Sequence, residues 1–389
     1  LVAAAIGFPL FAILMARKLY SSGEYTISGF IERRYGYGAK MMVSVIMIYA
    51  LLLVNVGNYV SGAAAIATVM HINLPTAAFI TAIVSTLYYA FGGMKSVAYI
   101  SVLHTAVKYA GVMIVLWVAL KLAGGFEQVH QGLPAHYFTW DGSIGGSKVL
   151  AWIIGTVGAI FSTQYIMQAI STTKSPTAAR NAALWAGLMC LPISIALGVI
   201  GVVSKYLHPD MDSLYALPVF LQSMSPWLAG VVTISLVASV FVGVSAVALA
   251  ITSLVVRDFY VPLRKPNAER EFRMTKVISL IVGFAPLVFV FAAPEILNLS
   301  FFTRALRLSI TVIALVAIYL PLFATGRGAT WGLGAATVTT SVWYLMGNPY
   351  GIDNMYIALI TPAVVICIER LLPRSNKAAN ASEVTNANS

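Results

Sequence analysis

Long apolar runs separated by short polar segments dominate this chain. They lie at 1–16, 41–70, 76–91, 99–122, 149–171, 181–204, 227–256, 277–292, 297–323, 329–346 and 354–372. Their apolar positions are continuous and do not alternate, which predicts helices and not the strands of a barrel. About 20 apolar residues cross a hydrocarbon core, so about eleven transmembrane helices are expected, with the 16-residue runs at the short limit. Composition agrees. Of 389 residues, 59% are hydrophobic and 10% charged, against about 25% charged in soluble domains. A soluble enzyme, a nucleic-acid binder and a disordered chain are excluded. The expected class is an all-α polytopic membrane bundle, with one transmembrane domain over 1–372 and a polar cytoplasmic tail over 373–389.

Charge gives the orientation. The net charge is +11, and 18 of the 24 Lys and Arg fall in segments 17–40, 92–98, 172–180, 257–276 and 324–328 and after 369. The alternate loops hold only Lys121, Lys148 and Lys205. An excess of basic residues marks the cytoplasmic side. The chain should therefore start outside and end inside the plasma (inner) membrane. It opens with Leu1 already in an apolar run, which predicts further residues before it. Cys190 and Cys367 sit in apolar runs and form no disulfide or zinc pattern. Segment 123–148 is expected outside, as a lid or an ordinary connector.

Four stretches together resemble the solute:sodium symporter family. They are Gly29-Phe-Ile-Glu-Arg-Arg-Tyr-Gly36, Phe91-Gly-Gly-Met-Lys-Ser-Val-Ala98, Gln164-Tyr-Ile-Met-Gln168 with Lys174 and Arg180, and Leu228-Ala-Gly230 through Arg257-Asp-Phe-Tyr260. Each is weak alone; their order and spacing carry the match. The resemblance implies a LeuT-like fold, two inverted repeats with broken helices around a midplane site. It places run 1–16 at the second core helix, with the first core helix lying outside this sequence. It also implies secondary transport by alternating access, without covalent chemistry and with no cofactor beyond a coupling ion.

The residues add their own arguments. None of the 13 Asp and Glu lies mid-run, so a buried carboxylate proton relay is not expected. Run 149–171 carries Gly155 and Gly158, which let a helix unwind or pack closely. By resemblance, Thr163, Gln164 and Tyr165 fall at the family's broken sixth core helix, and Gln164 and Gln168 match family glutamines. These four either contact solute or make ordinary interhelix hydrogen bonds. Asn55 and Asn58 share a helix face and either line the solute path or pin two helices. Ser101, His104, Thr105 and Lys108, at offsets of 3, 4 and 7, form one stripe. A mid-run lysine is costly and usually functional. Arg304 and Arg307, one turn apart, fall by resemblance on the tenth core helix, where they either meet a solute carboxylate or anchor the helix at the interface.

Departures from the family bear on the ion. Its sodium-binding hydroxyl positions, placed by resemblance, align with Val242 and Gly243, which offer no side-chain oxygen; Ser245 lies two or three residues off. By the same resemblance, the family's acid after its Gly-Gly-Leu-Lys segment aligns with Ser101, and the neighbouring Gln with His104. Ser101, His104, Lys108 and Ser245 are therefore the candidate ion-coupling residues, and sodium dependence is expected to be weak or absent. The expected function is symport of a small organic solute, carboxylate-bearing, with a cation. Sodium is the family expectation; proton-coupled or ion-independent transport, or a solute sensor without transport, are the alternatives. The expected partners are the solute and the lipid bilayer, not nucleic acid.

Overall fold

The computed structural model describes residues 2–142, 144–290 and 296–371. The tail over 373–389 and Glu295 lie outside the described residues. Among the described residues every regular element is helical. The main helices are α1 Val2–Ser21, α2 Ile27–Tyr35, α3 Tyr37–Met70, α4 Leu74–Leu122, α5 Phe126–Gly132, α6 Gly146–Ser162, α7 Gln164–Ser171, α8 Pro176–Leu207, α9 Pro226–Arg264, α10 Ala268–Phe284, α11 Ile296–Tyr319, α12 Gly326–Leu345 and α13 Asn354–Leu371.

Local chemistry sets their ends. Asn73, Ser175, Asn267 and Thr325 each cap the helix that follows, their side-chain oxygens accepting backbone N–H groups. Pro75 and Pro176 sit in first turns, where no donor is lost. α3 closes on His71 in the left-handed conformation, at φ 52°.

The described residues of the eleven apolar runs are mostly helical, but their partition differs from the expectation. Among the described residues, eight helices are long and apolar enough to span a membrane, or nine if the bent pair α6–α7 is one span. Runs 76–91 and 99–122 share the 49-residue helix α4, so the expected loop 92–98 has helical backbone. No proline interrupts that stretch, and a Gly92-Gly93 pair lowers helix propensity without removing a backbone donor. The expected loop 257–276 is likewise mostly helical. α9 runs on through a π-helical turn, Val255–Tyr260, and only residues 265–267 separate it from α10.

α9 lies along α3 and α4, α1 packs on α6 and α8, and α11 crosses α3, α6 and α13. The largest buried core runs through α1, α2, α3, α9 and α11. A separate apolar cluster joins the second half of α4 to α8 and to the short helix Pro218–Ser223.

Candidate functional site

The break between α6 and α7 is the centre of the candidate site. Thr163 leaves the helical region at φ −66°, ψ 126°, and the two segments meet at 45°. The upstream glycines serve packing, the second of their two expected uses. A Cβ on Gly155 would stand 2.1 Å from Met355 Sδ, and one on Gly158 2.2 Å from Leu308 Cδ1. Gly155 thus admits α13 and Gly158 admits α11 against α6, and polar bonds tie α11 to α6. Thr311 donates to the Gly158 carbonyl at 2.5 Å, and Ser162 to the Arg307 carbonyl at 2.7 Å.

Both arginines sit in this seam. Arg307 is 5% exposed. Its Nη1 donates to Thr163 Oγ1 at 2.9 Å and its Nε to the Thr303 carbonyl at 3.0 Å, with Tyr165 beside the guanidinium. Arg304 donates from Nη1 to Thr156 Oγ1 at 3.1 Å. Neither forms an ion pair among the described residues. The broken helix and the two arginines of α11 thus meet in one seam.

Gln164 and Gln168 are both buried, with different surroundings. Gln164 Oε1 accepts from the Ile27 backbone N–H at 2.9 Å, and its Nε2 donates to the Tyr25 carbonyl at 3.1 Å. Its amide ties α7 to the start of α2. Gln168 has neither amide atom hydrogen-bonded. Such a group is costly unless a ligand or water meets it.

Asn55 and Asn58 act as a pair. Asn58 donates to Asn55 Oδ1 at 3.1 Å, and Asn55 to the Val244 carbonyl at 3.4 Å. They therefore face α9 beside Gly243, where a Cβ would be 3.6 Å from Asn58 Nδ2. Asn58 also lines a cavity of about 190 Å³ with Gly57, Ser61 and Ser300. Val242 and Gly243 bring no side-chain oxygen, as read from sequence. Ser245, on the same helix, has a buried hydroxyl with no hydrogen-bond partner.

The stripe on α4 is narrower than expected. Ser101, His104 and Lys108 are half-buried, but Thr105 is exposed and donates to the Ser101 carbonyl at 2.7 Å. The four-residue offset lies far enough round the helix to face outward here. Lys108 lies near Cys190 of α8, and neighbouring Tyr109 donates to the Met189 carbonyl. The α4 stripe thus faces α8, apart from the α6–α11 seam.

A buried carboxylate corrects the sequence reading. Asp258, expected in a loop, lies within the continuous α9 and is 2% exposed. Its Oδ2 accepts from Ser28 at 2.5 Å and Ser44 at 2.6 Å, and Lys40 Nζ is 3.9 Å from Oδ1. Lys40 also pairs with Glu32 at 2.6 Å. On the same short helix, Tyr35 donates to the Ile313 carbonyl at 2.9 Å, and Arg34 to the Pro321 carbonyl at 3.1 Å. Burial raises the Tyr35 hydroxyl well above the ordinary tyrosine value, so it stays a donor. α2 therefore bonds to α3, α7, α9 and α11 at the basic end. Its motif was legible, but the distant partners that make it a hub were not.

A model of the sodium:solute symporter family matches residues 2–335. The chain belongs to the sodium:solute symporter family. It is 25% identical over 308 residues to the human high affinity choline transporter 1, covering 72% of this chain and 52% of that protein. It is 24% identical over 271 residues to the Haemophilus influenzae sodium/proline symporter, covering 64% and 54%. The chain spans little more than half the length of these curated relatives. A Na+-coupled sialic acid symporter, solved in a substrate-bound outward-open state, superposes with a TM-score of 0.78 at 15% identity, covering 96% of this chain and 84% of that one. That likeness establishes the LeuT-like fold. The family and these relatives are transporters, not enzymes, and the chain is a multi-pass membrane protein.

Proposed function

We propose that the protein is a sodium-coupled symporter of a small carboxylate-bearing solute, oriented with its N-terminus outside and its basic end in the cytoplasm. The observation that carries the solute class is Arg307. It is a buried guanidinium at a helix break with no carboxylate paired to it among the described residues. A buried charge left unpaired costs several kcal/mol. A solute carboxylate supplies the missing partner, and the planar fork can take it through two parallel bonds. Gln168, with both amide atoms unengaged, offers further polar contacts on the same broken helix.

For the ion we take the sodium reading over the weak dependence expected from Val242 and Gly243. The family's sodium coupling supports it. So does Ser245, a buried, unengaged hydroxyl beside the Val244 carbonyl that Asn55 contacts. Alternating access then rocks one group of helices against another around the site. Proton-coupled or ion-independent transport is the second reading. It is favoured by the missing oxygens at 242 and 243 and by Lys108 on α4.

The test of the solute class is equilibrium binding of a carboxylate solute and its amide analogue to wild type and to Arg307→Gln. Preference for the carboxylate in wild type, and its loss in the variant, is expected. Equal binding of both by wild type, or a preference that survives in Arg307→Gln, makes the arginine a structural anchor.

A further inference from the structure

The entry to α2 is held from two sides by buried groups. On one side stands Gln164 of α7. Its Nε2 donates to the Tyr25 carbonyl at 3.1 Å and its Oε1 accepts from the Ile27 N–H at 2.9 Å, so one amide grips the chain on both sides of Thr26. Ser171, at the end of α7, adds a bond to the Glu24 carbonyl at 3.3 Å. On the other side stands Asp258 of α9, which accepts from Ser28 at 2.5 Å and from Ser44 of α3 at 2.6 Å. It lies in the π-helical turn Val255–Tyr260, a local geometry that recurs at functional sites.

Gln164 directly follows Thr163, whose Oγ1 accepts from Arg307. Bonds therefore run without a gap from the arginine, through the helix break and residues 25–28, to Asp258. The Ser28 hydroxyl has a single proton to give. Thr26 Oγ1, at 3.0 Å, is its second acceptor, and Ser44 has the Lys40 carbonyl at 2.9 Å. Removing the carboxylate therefore orphans neither hydroxyl. What it removes is position: residues 25–28 lose α9 and α3 and stay attached to α7. The bonds that Tyr35 and Arg34 make to distant carbonyls are at the far end of α2 and cannot hold its first turn.

We propose that Asp258 is a positioning residue for transport: acting through Ser28 and Gln164, it fixes the broken helix at Thr163 and so sets the strength of solute binding from a distance. It touches no solute itself. The effect on solute rests on the reading of Arg307 given above; the effect on α7 does not. Once Asp258 is gone, the break samples more arrangements, and binding must order them at the expense of affinity. Couplings between sites are commonly worth about five- to 150-fold in affinity. One anchor in a series of bonds should give the low end, about fivefold.

The experiment uses the whole protein in lipid nanodiscs, in a background lacking Cys190 and Cys367, and has two readouts. The first needs no solute. Met167→Cys, on α7 and 1% exposed in wild type, is labelled with a maleimide. Asp258→Leu should raise its labelling rate by about fivefold or more, and Asp258→Asn, which keeps an acceptor oxygen, by less. Gln164→Leu should raise it too, and the double variant should label no faster than Gln164→Leu alone, because Asp258 acts through Gln164. Asn267→Ala, which removes the cap of α10, should lower the melting temperature and leave Met167→Cys shielded. The second readout is equilibrium binding of radiolabelled acetate, lactate and benzoate. Affinity for whichever binds wild type should fall about fivefold in Asp258→Leu and less in Asp258→Asn. If wild type binds none of the three, the solute reading of Arg307 falls, and the labelling still decides the positioning role. Unchanged Met167→Cys labelling in Asp258→Leu, an equal rise in Asn267→Ala, or a double variant that labels as the product of the two singles would each overturn the proposal. So would an affinity that stays the same in a variant whose labelling has risen. Should Asp258→Leu fail to fold, Asp258→Asn carries the same comparisons.

Discussion

Asp258→Leu should loosen the basic end of the molecule by a calculable amount. Asp258 is the acceptor that joins α9 to Ser28 of α2 and Ser44 of α3. A hydrogen bond to a charged group contributes about 1.5–3 kcal/mol, so two give a gross loss of about 3–6 kcal/mol. Three contacts soften the loss. Ser28 also reaches Thr26 Oγ1 at 3.0 Å, Ser44 also reaches the Lys40 carbonyl at 2.9 Å, and Lys40 keeps Glu32 at 2.6 Å. No donor is left wholly unpaired, and the net cost should be about 2–4 kcal/mol, below or at the low end of a broken buried pair. Asp258→Asn keeps an acceptor oxygen and should cost about half as much. In a chain this long, each kcal/mol moves the midpoint by about 2 °C or less, so Asp258→Leu should melt lower by up to about 4–8 °C in detergent. A second assay reads position: Ile31→Cys, fully buried on α2 in wild type, should become reactive from the basic side in the Asp258→Leu background. An unchanged melt with Ile31→Cys still shielded would refute the reasoning. So would a larger cost for Asn than for Leu.

Gln164→Leu leaves the Ile27 N–H buried and unpaired and should cost about 1–3 kcal/mol by thermal melt, against little for exposed Thr105→Ala. Gly158→Ala should destabilise by about 1–3 kcal/mol, since the new methyl meets branched Leu308. Gly155→Ala should cost less, because flexible Met355 can move aside. In a background lacking Cys190 and Cys367, Gln131→Cys should label from outside intact cells and Arg270→Cys only after permeabilisation. The reverse pattern would invert the proposed orientation.

What the sequence made legible is what local pattern encodes. Continuous apolar runs gave the helices, and the resemblance to the family, not the Gly155 and Gly158 pattern, pointed to the break at Thr163. The three-residue spacing of Arg304 and Arg307 put both on the face that meets α6. Long-range hydrogen bonding was not legible. Asp258 follows a run of apolar residues and reads as the first residues of a loop; its burial depends on Ser28 and Ser44, more than 200 positions away. Gln164 read as either a solute contact or an interhelix hydrogen bond, because nothing local shows that the Tyr25–Ile27 backbone occupies its amide. Thr105 joined the α4 stripe on helical offsets alone, whereas the packing of α8 decides which offsets are covered.

The measurement that bears most directly on the central claim is uptake of a panel of small radiolabelled carboxylates into proteoliposomes, with an inward sodium gradient or with choline replacing sodium. The account predicts saturable, sodium-stimulated uptake of at least one of them. That stimulation should be lost in Ser245→Ala, and the uptake itself in Arg307→Gln. Uptake equal in sodium and choline, or sodium-stimulated uptake that survives Arg307→Gln unchanged, would contradict it.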